Sequence, residues 1–342
     1  MMKEKQRIEA LSDKAKDISF SGHIVLARQQ DIIDELCMGF ENRVTQTPIT
    51  PQSIFAIASG TKFLTALAIG RLIDQGLLSL ETRAQSIVDL KMPGYHRDIL
   101  IKHLLSHTSG MPDYLDESKD DETDALNIDN RKLLTTKDYL SYFPDQPMDF
   151  SPGMRFKYHN GAYVYLAMII EHLTGSTYQD YINQVMLKPL GITRSGIFAA
   201  SANLPSKVIG YLDQTGQDTH IGHIPEMAGG DGGAYLNAYD FKTVVDAFLD
   251  GRIVSPDMAR SFMTPMATAN QEAGIHYGLG LWLKDTQKGL VPYVEGGDAG
   301  VSFKCVFHPD QRDYFWMVSN TGDGVWKLVD IFDQIAFQDT KK

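Results

Sequence analysis

The sequence predicts an α/β fold of the α+β kind: one antiparallel sheet flanked by helices, with a mostly helical lobe inserted. Two observations point there. Strand-like segments cluster at the two ends of the 342-residue chain, at residues 22–39 and 276–320, and are joined by short turns. Between them, from Leu77 to Pro225, the pattern is helical and loop-rich. The expected division is therefore discontinuous: residues 1–76 with 226–342 form the sheet domain, and 77–225 form the helical insertion. A binding cleft is expected between the two.

Taken in order, residues 3–17 read as a helix, and Gly22–Arg28 with Ile32–Gly39 as a hairpin turned at Gln29-Gln30-Asp31. A loop with Pro48 and Pro51 leads to Phe55-Ala56-Ile57-Ala58-Ser59-Gly60-Thr61-Lys62-Phe63-Leu64. Apolar residues then recur at helical spacing through Leu67, Leu72 and Ile73, and Gly76 stops the helix. Further helices are expected at Lys102–Ser106, Gly161–Leu173 and Tyr178–Met186. Gly229–Gly233 lacks the Lys-Ser or Lys-Thr of a phosphate loop and reads as a tight turn feeding a helix capped by Asn237, with Asp240 completing a capping box. Strands are expected at His276–Lys284, Leu290–Glu295, Val301–His308 and Tyr314–Asn320, then a closing helix at Val325–Phe337.

Composition narrows the function. The chain is 43% hydrophobic, enough for a large core, and carries a net charge of −11, which argues against nucleic acid or anionic membrane surfaces as partners. Met1–Phe20 has no apolar run fit for a signal peptide or membrane span, so a cytoplasmic protein is expected. Cys37 and Cys305 lie in separate strand-like segments and read as buried free thiols. His103 and His107, one helical turn apart, lack a His-Glu-x-x-His context and read as structural, so no metal is expected. Asp113–Asn130 is dense in acid and reads as a solvated, mobile surface loop.

The chemistry-bearing stretch is Ser59-x-x-Lys62. Residues three apart share a helix face, so hydroxyl and amine can meet. Free N–H groups at a helix N-terminus favour an alkoxide or oxyanion. Burial among Phe55, Ile57 and Phe63 is expected to lower the Lys62 pKa toward that of a useful base. By itself the pattern is weak, and a capping serine with a snorkelling lysine is its commoner meaning. Tyr158-His159-Asn160, after the Ser151-Pro152-Gly153 turn, adds a phenol whose pKa a nearby cation would lower, and a carboxamide able to hold both lysine and substrate.

Together these elements resemble the serine β-lactamase and penicillin-binding superfamily, in particular its class C β-lactamase-like esterases and D-peptidases. The matching text is Phe55 to Lys62; the Leu104-Leu105-Ser106-His107-Thr108-Ser109-Gly110-Met111 turn; Ser151 to Asn160; Lys188-Pro189-Leu190-Gly191-Ile192; and Gly229-Gly230. The likeness runs from about Gly22 to the C-terminus. It implies a β-lactamase/transpeptidase-like fold and a serine hydrolase of the Ser-Lys-Tyr type, without metal or cofactor, acting on a small-molecule or peptide substrate. It assigns catalysis to Ser59, Lys62 and Tyr158, and substrate binding to Asn160, Glu295, Gly297 and Asp298. The N–H groups of Ser59 and Asp298 would form the oxyanion hole, and Gly297 would allow the close backbone approach.

One departure stands out. The family's third element carries a cation or imidazole where this chain has Glu295, in Tyr293-Val294-Glu295-Gly296-Gly297-Asp298. A carboxylate there would repel anionic substrates, which predicts neutral or cationic acyl substrates instead. Two rival readings remain: a penicillin-binding-like sensor or scaffold with little turnover, and an interaction protein that uses the acidic 113–130 stretch.

Overall fold

The computed structural model describes residues 4–29, 31–92, 95, 98–117 and 128–337. The N-terminal helix α1 (Glu4–Asp17) precedes the hairpin β1 (Gly22–Arg28) and β2 (Asp31–Met38). Short strands β3 (Phe40–Asn42), β4 (Thr47–Pro48) and β5 (Phe55–Ala56) lead to helix α2 (Thr61–Asp74). The middle of the chain contributes helices α3 (Ile101–Leu105) and α4 (Asn160–Thr174) and strand β6 (Gly196–Ile197). Between α4 and β6, residues Tyr178–Asp180 run on as a π-helix over Tyr181–Leu187, where one uniform helix was expected. Strand β7 (Ala234–Leu236) and helices α5 (Ala238–Leu249) and α6 (Pro256–Phe262) follow. Then come β8 (Ala267–Asn270), β9 (Ile275–Tyr277), β10 (Trp282–Thr286), β11 (Gly289–Asp298), β12 (Val301–His308), β13 (Asp313–Ser319) and helix α7 (Val329–Ala336).

Eight strands form one antiparallel sheet in the order β2-β1-β13-β12-β11-β10-β9-β8, so both ends of the chain meet at the β1–β13 ladder. Alternation along the strands sorts its two faces. Ile24, Leu26, Val306, Phe315 and Met317 pack with Leu11 of α1 and Phe332 of α7. Val25, Phe303, Cys305, Phe307 and Trp316 pack with α2, α4 and α5 in the main core. In that core the Phe63 ring meets Phe241, Phe248 and Phe307 at centroid distances of 6.1, 5.4 and 6.3 Å.

Several expectations are refined. The alternating segment His276–Lys284 is two strands rather than one, because Gly280 takes a left-handed φ of 76° and turns the chain between β9 and β10. The Gly229–Gly233 run feeds strand β7 before the helix; β7 pairs with β5 (Phe55↔Leu236, Ala56↔Tyr235) and so braces the approach to Ser59. Asn237 does cap α5, accepting from the N–H groups of Tyr239 and Asp240. The Asp240 carboxylate, however, bonds Ser195 and the Asn237 amide rather than closing a capping box. Cys37 and Cys305 are free thiols, Cys305 buried and Cys37 partly so. Among the described residues, no helix is long and apolar enough to cross a membrane.

Candidate active site

Ser59 sits in a single 3-10 turn, Ala58–Gly60, that runs into α2. Ala58 holds a left-handed φ of 45°, an uncommon conformation for a residue with a side chain. Local bonds hold it there. The Thr61 hydroxyl donates to the Ala58 carbonyl at 2.7 Å and accepts from the Ala234 N–H at 2.9 Å, while the Ile57 N–H donates to the Ala234 carbonyl at 2.9 Å. Beneath the turn, a Cβ on Gly60 would lie 2.6 Å from the Phe303 ring, so the sheet tolerates only glycine there.

Lys62 lies in the first turn of α2 and is 2% exposed. Its Nζ donates to Ser59 Oγ at 2.8 Å, Asn160 Oδ1 at 2.8 Å and the Asp231 carbonyl at 2.7 Å, the full complement of an ammonium group. The same nitrogen stands 4.8 Å from the Tyr158 ring centroid. With the Tyr158 ring beside the Lys62 amine, hydroxyl, amine, phenol and carboxamide come together at one place.

The turn that contains His107 positions Tyr158. His107 has a left-handed φ of 57°. Its carbonyl accepts from the Lys157 N–H at 2.9 Å, and its Nδ1 accepts from the His159 N–H at 3.1 Å. Its ring packs 4.3 Å from that of Tyr158, whose other neighbour is a stacked Trp282 at 5.9 Å. The structural role expected of His107 is thus a clamp on both sides of the phenol. His103 is also structural: its Nδ1 accepts from the Leu100 N–H at the start of α3.

The electrostatics differ from expectation. The Tyr158 phenol is held well above its ordinary pKa, not lowered: burial acts first, then the Glu117 carboxylate, with Asp231 and Glu295 adding and only the nearby Ser59 side chain opposing. The phenol therefore keeps its proton at neutral pH. Burial also raises the Asp231 carboxyl, against the pull of Lys62. Asp298, at the end of β11 with part of its surface open to solvent, is pushed up to about 7 by the protein packed round its carboxyl and by Asp231 and Glu117, despite accepting from the Ala299 N–H.

Asn160 opens α4 and is 3% exposed. Its N–H and that of Gly161 donate to the two oxygens of Asp113, at 2.6 and 2.8 Å, so a buried carboxylate caps the helix. Asp113–Asp116 is thus not the solvated loop expected. Asp113 is buried, the Tyr114 hydroxyl donates to Asp231 at 2.5 Å, and Asp116 pairs with Lys157 at 2.9 Å. Residues 118–127 of that stretch lie outside the described residues.

On β11 it is Gly296, not Gly297, that makes the close approach. A Cβ on Gly296 would lie 2.6 Å from both the Ile57 carbonyl oxygen and the Ser59 nitrogen, whereas one on Gly297 would meet nothing nearer than Trp326 at 3.7 Å. Neighbouring strand residues face opposite ways, and Gly297 faces away from the serine turn. Glu295 is not a free charge either. Lys304, its cross-strand partner, approaches it at 3.5 Å and donates to Asp333 at 3.0 Å. Burial raises the Glu295 carboxyl, Lys304 pulls it back, and Asp333 raises it again. The β10 ladder ends at Trp282↔Tyr293, so among the described residues no strand pairs with Val294–Asp298 on that side.

Glu117, Asp113, Asp231 and Trp282 were not foreseen. The first two lay in what reads as an acidic surface run, and Asp231 inside a glycine turn. Among the described residues one group has the ligand types and spacing for a metal: His23, Glu35 and Cys37 on β1 and β2, with ligand atoms within 4.8 Å of one another. It is separate from the Ser59 cluster. There the His23 ring and the Tyr239 hydroxyl both bond Glu35, at 2.9 and 2.8 Å.

The chain is 27% identical over 329 residues to penicillin-binding protein 4* of Bacillus subtilis (strain 168), covering 91% of this chain and 70% of the relative. Its fold matches the crystal structure of a penicillin binding protein from Bacillus halodurans with a TM-score of 0.88 at 30% identity, over 95% of this chain and 99% of the other. The D-amino acid amidase of Ochrobactrum anthropi SV3 shares the fold alone, with a TM-score of 0.78 at 19% identity over 97% and 98% of the two chains. The beta-lactamase family model matches residues 15–339, and the chain belongs to that family of serine hydrolases.

Proposed function

We propose that this protein is a serine hydrolase that cleaves ester, amide or peptide bonds through an acyl-enzyme. The observation that carries the reading is the Lys62 amine bonded at once to Ser59, Asn160 and the Asp231 carbonyl, beside the Tyr158 phenol. A neutral Lys62 would keep its two hydrogens on Asn160 and Asp231, which turns its lone pair to Ser59 as a base. Ser59 then attacks the substrate carbonyl as its proton passes to Lys62; Tyr158, which holds its proton, gives it to the leaving group and is reprotonated by the Lys62 ammonium, so both groups are restored before water attacks. The N–H groups of Ser59 and Asp298 take the oxyanion, and a removed donor of this kind typically costs about 10²–10³ in rate. Water then releases the acyl group. Asp298 lines the substrate side and the Glu295 charge reaches it, while Gly297 is turned away; the cleft lies between a sheet domain of residues 1–76 and 226–342 and a helical lobe of 77–225.

The test is mass spectrometry after exposure to activated esters, amino-acid amides and a cephalosporin. An acyl adduct on Ser59, absent in Ser59→Ala, is expected, with multiple turnovers of at least one ester. No adduct with any of them refutes the proposal. Glu295, where the family carries a cation, favours one alternative: a penicillin-binding-like protein with little turnover. A stoichiometric burst without turnover would mark that case.

A further inference from the structure

Asn160 has one side-chain acceptor and two amide hydrogens, and all three are committed. Its Oδ1 accepts from Lys62; one hydrogen goes to the Leu115 carbonyl at 3.0 Å, and the other to Glu117 Oε1 at 2.8 Å. A substrate carbonyl that takes a hydrogen bond from Asn160 must therefore displace one of these acceptors. Leu115 offers main chain, two residues from Asp113, which is fixed on the N-terminus of α4. Glu117 offers the end of a side chain on an exposed residue, and it is the one able to leave.

A carboxylate that gives up a charge-assisted bond needs a new partner. Among the described residues, the neighbouring lysines do not supply it. Lys62 has spent its three hydrogens, Lys157 pairs with Asp116 and Asp149, and Lys304 pairs with Glu295 and Asp333. The position is also close to the chemistry. Glu117, Asn160, Lys62 and Ser59 form one chain of three consecutive hydrogen bonds, each 2.8 Å. The fields of Glu117 and Asp231 reach both the Tyr158 phenol and the Asp298 carboxyl, so the site as a whole favours positive charge.

We infer that Glu117 determines substrate specificity: it exchanges its bond to Asn160 for an ion pair with an ammonium group next to the scissile carbonyl. The substrates are then esters, amides or peptides of amino acids whose amino group is free. This rests on the serine-hydrolase reading. It also moves the main origin of the charge preference from Glu295, which shares Lys304 with Asp333, to Glu117.

The experiment compares alanine p-nitroanilide, in both enantiomers, with its N-acetyl and its propionyl (des-amino) counterparts. For the wild type, kcat/KM for at least one free-amine substrate should exceed that of the blocked ones by about 100-fold at pH 7, and the advantage should vanish as pH rises past the substrate amine's own pKa. Glu117→Gln keeps an acceptor for Asn160 but removes the charge. Its free-amine to des-amino ratio should fall at least about tenfold, mainly through KM. Calorimetry on Ser59→Ala should find alaninamide bound more tightly than propionamide, and Ser59→Ala/Glu117→Gln should lose the difference. If blocked and free-amine substrates acylate Ser59 equally, or Glu117→Gln slows both by one factor, the assignment of Glu117 fails while the hydrolase stands. If no ester acylates Ser59, the hydrolase reading falls and takes this inference with it.

Discussion

Replacing Gly296 by alanine tests how tightly β11 is laid over the nucleophile turn. The added Cβ would lie 2.6 Å from Ile57 O, 2.6 Å from Ser59 N and 3.0 Å from Gly60 N, all of them backbone atoms with no side-chain freedom to retreat. Ordinary van der Waals contact begins near 3.4 Å, so strand and turn must separate by roughly 0.8 Å. The turn cannot yield freely, because Gly60 is backed by Phe303, itself fully buried in the core. Overpacking of this kind destabilises by about 1–3 kcal/mol. The larger effect falls on the chemistry. A displacement approaching 1 Å at the Ser59 N–H spoils an oxyanion site, for which a loss of about 10² in rate is expected. The assay is the rate of Ser59 acylation by an activated ester, followed by mass spectrometry, alongside thermal unfolding. Gly297→Ala is the stability control: its Cβ meets Trp326 only at 3.7 Å, so its melting temperature should stay close to that of the wild type. If Gly296→Ala acylates and melts like the wild type, or Gly297→Ala is the more destabilised, the close-approach reasoning is wrong.

Two further predictions concern charge. Lys304→Met strips the cation from Glu295 and Asp333; these side chains keep 30% and 35% of their surface in solvent, so the loss should be about 1–2 kcal/mol rather than the 3–5 of a fully buried pair. Both carboxyls are already raised by burial, so the loss should be greatest above neutral pH and fade as acid protonates them, as read by denaturant unfolding across pH. Asp298→Asn should raise the melting temperature at pH 8 more than at pH 4.5. Its folded carboxyl titrates at about 7, against roughly 4 when unfolded, so the penalty on the charged form is complete above pH 7 and disappears as pH falls toward 4. An equal gain at both pH values would show that the Asp298 carboxyl does not titrate in this window.

What the sequence determined alone is what depends on local periodicity and short-range chemistry. The hairpin β1–β2, helix α2 starting beside Ser59, the cap at Asn237 and the run of C-terminal strands were all legible, because alternation, helical spacing and capping act over a few residues. The Ser59–Lys62 contact was legible for the same reason, since one helical turn sets the distance. Only the tertiary structure decided everything that depends on which way a side chain faces and what arrives from elsewhere in the chain. It turned Gly296 rather than Gly297 onto the serine, because strand register sets the facing side. It matched Glu295 with Lys304 across a ladder. It carried Asp113 and Glu117 out of an acidic run and onto the head of α4. There the free N–H groups of a helix end hold the buried Asp113, and the amide of Asn160 holds the exposed Glu117, which composition cannot reveal.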